Sequence, residues 1–338
     1  MAAGLTLLGR LLFGHVKRSS PYPRKKSQLQ KPRKTNLLKA SQSHKVFTMS
    51  NSETAAYKLL TAARPPFSIQ SFGLSDCGQV RSSNEDCFLI AELARTLRVH
   101  HTNLPQQESS FSCHRGHVFM VADGVGGCHA GEVASSLSVN TVEDFLLNTL
   151  KRFANLQASD EQAALKDLQK ALFQADSRIF EESASHPEWR GMATTLTMAF
   201  AVNWRLFLAH AGDSRCYVLS GGLLEQITQD HTMTADMVRE GLLSPQQQKK
   251  HPWRHMVTNI LGGTQPGVRA ELHALDLLPD DVILLCSDGL TEMVSDEQIL
   301  ALLQAETDPE TVCQRLVDEA NKQGGRDNIS VIVAHCKA

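Results

Sequence analysis

No aspartate or glutamate occurs in the first 48 residues, no two cysteines of the 338-residue chain form a C-x-x-C pair, and no apolar run reaches membrane-spanning length. Each absence closes off a class of protein. The eight cysteines, at 77, 87, 113, 128, 216, 286, 313 and 336, stand far apart, several inside apolar strand-like runs. That pattern belongs to reduced core thiols in a cytosol-like compartment and argues against a disulfide framework or a zinc site. The opening MAAGLTLLGRLLFGHVKR is leucine-rich but broken by Arg10, and nowhere does the chain approach the roughly eighteen apolar residues of a membrane helix. No membrane span is expected.

The missing acids of the N-terminus make the charge lopsided. Residues 1–48 carry eleven Lys/Arg, which leaves 23 basic against 36 acidic residues in the remainder. A body that acidic does not suit a nucleic-acid-binding face, where phosphate contacts need clustered cations. A basic, acid-free, serine-containing start resembles a mitochondrial presequence; a plain solvated tail, or translation from Met49 just before the first acids, accounts for it as well. The expected location is cytoplasmic, with mitochondrial import the alternative. Hydrophobic residues at 42% and charged residues at 21% are ordinary for a globular protein. We therefore expect a basic tail over residues 1–66 and one folded domain over 67–338.

What is present in that domain is a series of short apolar runs bounded by Gly, Asp, Asn or Ser: CFLIAEL, HVFMVAD, TTLTMAFAV, RLFLAHAGD, RCYVLSG, DVILLCSDG and ISVIVAHC. They read as strands, several buried on both faces. Two helical patterns lie between residues 131 and 185, one with Val142, Phe145, Leu146, Leu150 and Phe153, the other with Leu165, Leu168, Leu172 and Ile179. SDEQILALLQ and DPETVCQRLVDEANKQGG carry helix start signals. Connections of two or three residues between consecutive strands make hairpins, so the expected class is α+β with antiparallel sheets covered by helices. Residues 222–280 are poor in strand signal and hold a polar, partly helical segment with the look of a flap beside a site; residues 92–116 have that of a loop insertion.

Acids recur at the ends of these strands. HVFMVADGVGG ends on Asp123, AHAGDSR on Asp213 and LLCSDGL on Asp288; Glu85 and Asp86 precede one strand and Asp327 precedes the last. Strand ends on one edge of a sheet converge, and uncompensated carboxylates brought together there raise one another's pKa values. A cation is the economical way to hold them. All the candidate ligands are oxygens, including the carbonyl of Gly124, which favours Mg²⁺ or Mn²⁺ over zinc. Two such ions can activate a water and clamp a phosphoryl oxygen, and Arg81 supplies a planar fork for the remaining phosphate oxygens. The constellation predicts hydrolysis of a phosphate ester. No C-x5-R loop is present to cradle an anion at a cysteine nucleophile.

GQVRSSNEDCF, VADGVGGCHAGEVAS, GMATTLTMAF, HAGDSRCYVL, ITQDHT, HPWRHMVTNILGG, LLCSDGLTEMV and GGRDNISVIV resemble, in order and spacing, the motifs of the PPM-type, or type 2C, metal-dependent Ser/Thr protein phosphatases, in their bacterial-type branch. The resemblance spans about residues 68–336. It implies a four-layer α-β-β-α sandwich and removal of phosphate from phosphoserine and phosphothreonine in proteins by a metal-activated water attacking phosphorus directly. Two Mn²⁺ or Mg²⁺ ions are implied, with a possible third. Asp123 would bridge the two, Gly124 would offer its carbonyl to one, Asp288 and Asp327 would hold the other, and Glu85 and Asp86 would act in the first shell or through waters. Asp213, with Asp288, matches the weaker third site, Arg81 the phosphate-binding arginine, and residues 231–262 the family's flap. Asn328 and Ser330 read as turn and strand residues, and His231, His251 and His255 as residues that cap or pack the flap. Where animal members carry a histidine after the Asp-Gly pair, this chain has Val125, and Cys128 with His129 follow the glycine pair. Phosphorylated proteins, in opposition to a Ser/Thr kinase, are the expected partners of a monomeric enzyme. A catalytically silent phosphoprotein-binding relative and a small-molecule phosphoesterase are the rival readings.

Overall fold

The computed structural model describes residues 67–95, 114–125, 130–149, 161–265 and 267–338. The tail expected over 1–66, the inner part of the expected insertion, and Cys128 with His129 lie outside the described residues.

Two five-stranded antiparallel sheets stack face to face. The first runs in the order β1 (Ser68–Asp76), β13 (Ile329–Lys337), β12 (Val282–Cys286), β8 (Arg215–Ser220) and β9 (Leu223–Gln226). The second runs β11 (Glu271–Asp276), β7 (Arg205–Ala211), β6 (Leu196–Val202), β3 (His114–Ala122) and β2 (Cys87–Arg95). The period of two along each strand divides its side chains between two cores. In β3, Phe119 and Val121 enter the layer between the sheets, where they meet Ile283, Leu285, Ile332 and Ala334 of the opposite sheet. Val118, Met120 and Ala122 instead face helices. Each fully buried Val, Leu, Ile, Phe or Met side chain contributes roughly 1.5–3 kcal/mol.

The outer layers are helical. α1 (Ala130–Thr149) and α2 (Glu161–Ser185) cover the second sheet through Val142, Leu146, Leu168, Leu172 and Ile179, the positions that helical spacing predicts. Leu150 and Phe153 lie outside the described residues. Between β9 and β11 come α3 (Met233–Arg239) and α4 (Pro245–Gln248), and the first sheet is then covered by α5 (Asp288–Thr291), α6 (Asp296–Ala305) and α7 (Pro309–Lys322). Ser295 and Gln298 form the capping box that opens α6, and Asp308 caps α7 by accepting from the Thr311 amide at 3.0 Å. The result is an α-β-β-α sandwich.

The β6–β7 hairpin turns on Asn203 and Trp204, with φ of 50° and 62°. Two residues with positive φ match the twist of the flanking strands, and Trp204 is held there by burial against Phe67, at 5.0 Å between ring centroids. Two expectations need correction. Residues 222–280 hold β9, β11 and the two-residue strand β10 (Leu261–Gly262), which joins β5 (Ala193–Thr194) and β4 (Gly124–Val125) in a small third sheet. β11 is an edge strand whose residues are only half-buried, so its apolar signal is weak. Strand structure also reaches Arg95 and resumes at His114, inside the segment expected to be a loop insertion.

Candidate active site

Asp86 and Asp123 flank one rung of the second sheet, because Cys87 of β2 pairs with Ala122 of β3. On the first sheet Cys286 pairs with Val331, and the Ser287 amide donates to the Ser330 carbonyl at 3.0 Å. Asp288 and Asp327 therefore leave that sheet side by side. Asp213 sits in the turn that carries the chain from β7 of one sheet to β8 of the other. The acids were expected to share one edge of one sheet; they come instead from the facing ends of both.

Their proximity shows in their electrostatics. Burial pushes the Asp123 carboxyl well above the usual range, and Asp86, Asp288, Asp213 and Asp327 push it further. Asp288 is raised in the same way, by burial and then by Asp213 and Asp327. Burial lifts Asp213 to about 7, with Asp230 adding to it. Asp86 is lifted by burial to about 6 although hydrogen bonds from Ser330 and Ser287 oppose the shift. One oxygen of Asp86 accepts from the Ser287 hydroxyl at 2.8 Å, but its Oδ1, like Oδ1 of Asp288, is buried with no hydrogen-bond partner among the described residues. Buried polar atoms are rarely left so. Orphaned carboxylate oxygens in an all-oxygen cluster of mutually repelling acids are what a hard divalent cation satisfies, and the residues present fit such ions.

The backbone around the acids is tightly held. The Asp123 amide donates to Thr195 Oγ1 at 3.0 Å, and its carbonyl accepts from the Thr195 amide and the Thr194 hydroxyl, both at 2.9 Å. Thr195 Oγ1 meets Ser214 Oγ at 2.8 Å, which ties this clamp to the Asp213 turn. Gly212, at φ +120°, leaves no room for a Cβ, which would lie 2.4 Å from that of Thr195. Two of the glycines after Asp123 are explained by close approach: a Cβ on Gly124 would lie 2.3 Å from the Gly131 carbonyl oxygen, and one on Gly131 would lie 2.2 Å from Glu85 Oε2. The start of α1 thus packs backbone against backbone beside Glu85.

Arg81 reaches the cluster from its rim. Its Nη2 donates to Asp327 Oδ2 at 2.7 Å, and this bond, together with the charges of Asp327, Asp123 and Glu85, outweighs burial and raises the guanidinium pKa. The loop that bears Arg81 and Glu85 is braced by Asn328, whose Nδ2 donates to the carbonyls of Cys77 at 3.0 Å and Ser83 at 2.9 Å while Oδ1 accepts from the Glu85 amide at 2.9 Å. Thr194, Thr195, Ser214, Ser287 and Asn328 were not singled out as site residues from the sequence. Their signal was in view, since all five lie inside or beside the motifs quoted above, but hydroxyl and amide side chains announce a turn as readily as a brace.

The family model described as protein phosphatase 2C matches residues 98–324. The chain belongs to the protein phosphatase 2C family. Two relatives place it on the bacterial-type branch. Serine/threonine phosphatase stp of Listeria monocytogenes is 32% identical over 216 residues, covering 64% of this chain and 83% of that protein. Serine/threonine protein phosphatase PstP of Mycobacterium tuberculosis is 36% identical over 262 residues, 77% of this chain but only 43% of that longer protein. The crystal structure of the Mycobacterium tuberculosis phosphatase PstP/Ppp matches at a TM-score of 0.64 and 32% identity, over 80% of this chain and 99% of that one. A PstP catalytic domain in complex with two manganese ions matches at 0.63 and 31%, over 81% and 100%. Family, branch and sandwich fold are as the motifs implied.

In this type 2C phosphatase domain a cleft of about 770 Å³ opens beside the acids, lined by Asp213 and Asp288, by Lys249 and Arg254 of the segment expected to be a flap, and by Glu292. His255 joins the flap to the rim of the cleft through Nδ1, 2.9 Å from Glu292 Oε1. His251 Nδ1 accepts from the Trp253 amide at 3.2 Å within the flap. His231 is the first residue of the segment expected to be a flap. Val125 is exposed and carries no ionisable group. Cys216, Cys286, Cys313 and Cys336 are buried and their thiols are pushed up by that burial, Cys286, Cys313 and Cys336 to about 12, so none is a thiolate near neutral pH. Among the described residues no helix is long and apolar enough to cross a membrane.

Proposed function

We propose that this chain hydrolyses phosphoserine and phosphothreonine in proteins at the carboxylate cluster, by direct attack of water on phosphorus with no phosphoenzyme. The observation that carries the reading is the meeting of Asp86, Asp123, Asp213, Asp288 and Asp327, with two buried, unpartnered oxygens, in a member of the type 2C family. Asp123 and the Gly124 carbonyl, with Asp288 and Asp327, would hold two ions, Glu85 and Asp86 would complete their surroundings, and Asp213 with Asp288 would hold a weaker third. Bound there, Mg²⁺ or Mn²⁺ supplies Lewis acidity that lowers the pKa of a water and neutralises charge on the phosphoryl oxygens.

The chain's own residues do the rest. Arg81, half-exposed and hydrogen-bonded to Asp327, can turn its fork to two phosphoryl oxygens and fix the phosphorus over the cluster. The Ser287 hydroxyl orients Asp86, and the Thr194 and Thr195 contacts hold the backbone of Asp123 so that its carboxylate need not reorganise. Solvent supplies the leaving-group proton, since Val125 has none to give. The buried thiols do not compete with water as nucleophiles.

The test is release of phosphate from phosphoserine and phosphothreonine peptides by the purified full chain, with Mn²⁺, with Mg²⁺ and with a chelator, beside sugar and nucleotide phosphates at equal concentration. Activity on the peptides that needs a divalent ion and exceeds that on the small esters is the expected result. Preference for the small esters would move the chain to the phosphoesterases; tight binding of phosphopeptide without turnover would make it a silent relative. A phosphoprotein substrate implies an opposing Ser/Thr kinase, and the proposed enzyme is a cytoplasmic monomer, or mitochondrial if the basic N-terminus directs import.

A further inference from the structure

His231 makes an unusual number of backbone contacts for a residue at the start of a flap. Its amide donates to the Gly212 carbonyl at 2.8 Å, and its Nδ1 accepts from the Gly212 amide at 3.2 Å, so that it grips both sides of the residue next to Asp213. Its carbonyl accepts from the Thr258 amide at 2.7 Å and the Thr258 hydroxyl at 3.1 Å, which ties in the returning leg of the flap. One residue on, Thr232 bridges Val257, and the Met233 amide donates to the Met256 carbonyl at 2.8 Å. The two legs of the flap and the Asp213 turn therefore meet at one residue, whose backbone holds the legs and whose imidazole adds the Gly212 amide.

Glu271 fixes that imidazole. It stands opposite His210 in the register of β11 and β7, and its Oε2 lies 3.0 Å from His231 Nε2. It also accepts from the Gln229 amide at 3.1 Å and approaches His273 Nε2 at 2.5 Å. Burial alone would raise this carboxyl, but the hydrogen bonds from His231 and His273 outweigh it and hold the pKa at about 2. His210 stacks on the other side of His231, with ring centroids 4.9 Å apart.

His210, His231 and Glu271 bring ligand atoms within 4.8 Å of one another, as a metal site would. The hydrogen bonds exclude that use. Asn259 Oδ1 accepts from the Arg269 amide, so its Nδ2 is the atom that donates to His231 Nδ1, at 3.0 Å. With Nδ1 accepting from both Asn259 and Gly212, the proton of the neutral ring sits on Nε2, pointed at Glu271, and no lone pair is left there for an ion.

We infer that Glu271 and His231 form a clasp that fixes both legs of the flap against the Gly212–Asp213 turn, and that they are positioning residues for turnover of phosphoprotein. The geometry of the clasp stands by itself; its consequence for turnover rests on the proposed phosphatase activity. A flap held at its root presents Lys249 and Arg254 to the cleft in one arrangement, whereas a loose flap must be ordered by each substrate at an entropic cost.

Hydrogen exchange of the full chain, followed by mass spectrometry, reads the clasp without any substrate. In Glu271→Ala, exchange over residues 211–214 and 231–262 should quicken about tenfold or more while residues 296–322 keep their wild-type rates. KM for a phosphopeptide should rise about tenfold, with a smaller change in kcat. Glu271→Gln retains an oxygen that accepts from His231 Nε2 and should recover most of both effects. Unchanged exchange in the flap overturns the clasp, and so does exchange that quickens equally across the domain, which would make Glu271 a residue of general stability. If the wild-type chain hydrolyses no phosphopeptide, the functional reading falls and the exchange pattern still decides the clasp.

Discussion

At the scale of single residues, the site is a set of carboxylates that the fold keeps together against their own repulsion. Replacing Asp123, Asp288 or Asp327 by alanine should lower phosphopeptide turnover on the order of 10³-fold, about 4 kcal/mol of lost stabilisation. The fold should survive, because each substitution also removes a repelling charge. Near-wild-type turnover by Asp123→Ala at saturating Mn²⁺ would remove Asp123 from the proposed metal centre. A second residue prediction concerns the proton of the leaving group. A serine alkoxide needs it far more than a nitrophenolate does. If solvent supplies it, His129→Ala keeps both phosphoserine peptide and nitrophenyl phosphate hydrolysis within about threefold of wild type; a fall of roughly 10²-fold on the peptide alone, the loss expected for a general acid, would assign the role to His129.

At the scale of elements, the strands that carry the acids were the most legible part of the chain. β3, β6, β7, β8, β12 and β13 are buried on both faces, so their sequences are continuous apolar runs with sharp polar ends. β1 and β11 escaped because edge strands, half-buried and bearing Ser, Gln, Gly or His, lose the contrast on which strand reading depends. That the acids cluster could be argued from strand ends; that two sheets share them could not, because pairing order depends on contacts far apart in sequence. The braces at Thr194, Thr195 and Asn328 were illegible for a different reason, since a small polar residue shows its role only once its partner is in place. Gly131 illustrates the same limit and yields a test. Glycine inside a helix costs about 1 kcal/mol relative to alanine, so Gly131→Ala on α1 should stabilise the protein by sequence reasoning alone. The fold adds what that reading omits, because the new Cβ would lie 2.2 Å from Glu85 Oε2 and 3.0 Å from the Gly124 carbonyl carbon, so the Glu85 carboxylate must move. Loss of activity in Gly131→Ala through a weakened response to Mn²⁺, rather than any rise in melting temperature, is the outcome this packing requires.

At the scale of the whole molecule, two properties follow from where charge is stored. The basic segment has no core periodicity in its sequence, so deletion of residues 1–60 should leave both phosphatase rate and melting temperature of the domain unchanged. A melting temperature lowered by several degrees would show that the segment packs on the domain. The other property is an inverted response to pH. Asp86 is held at about 6 and Asp213 at about 7, with Asp123 and Asp288 also raised, whereas in the unfolded chain such carboxyls titrate near 4. Between those limits the folded protein binds more protons than the unfolded one, so stability is greatest at the acidic end and is lost as pH rises through the folded values. Groups with lowered values act otherwise, Glu271 and His210 most strongly, and His117, also lowered by burial, follows His210. Glu271, held at about 2, gives its full contribution above the unfolded value and is constant from pH 5 upward. His210, kept neutral by burial at about 4, favours the folded state increasingly through the unfolded imidazole value of about 6.5, and its slope dies away about one unit above it. The window from about pH 7 to 8 is therefore dominated by the acids. With a chelator present, the melting temperature should fall across that window, at up to about 1.4 kcal/mol per pH unit for each carboxyl titrating in it and about 2 °C per kcal/mol for a domain of this size. Saturating Mn²⁺ should raise the melting temperature most at pH 8 and flatten the profile, because the ion binds the ionised carboxylates and stabilises the folded state by mass action. A chelated protein whose melting temperature rises toward pH 8 would mean that these acids are ionised at little cost in the folded chain, and the cluster would lose its electrostatic reason to bind cations.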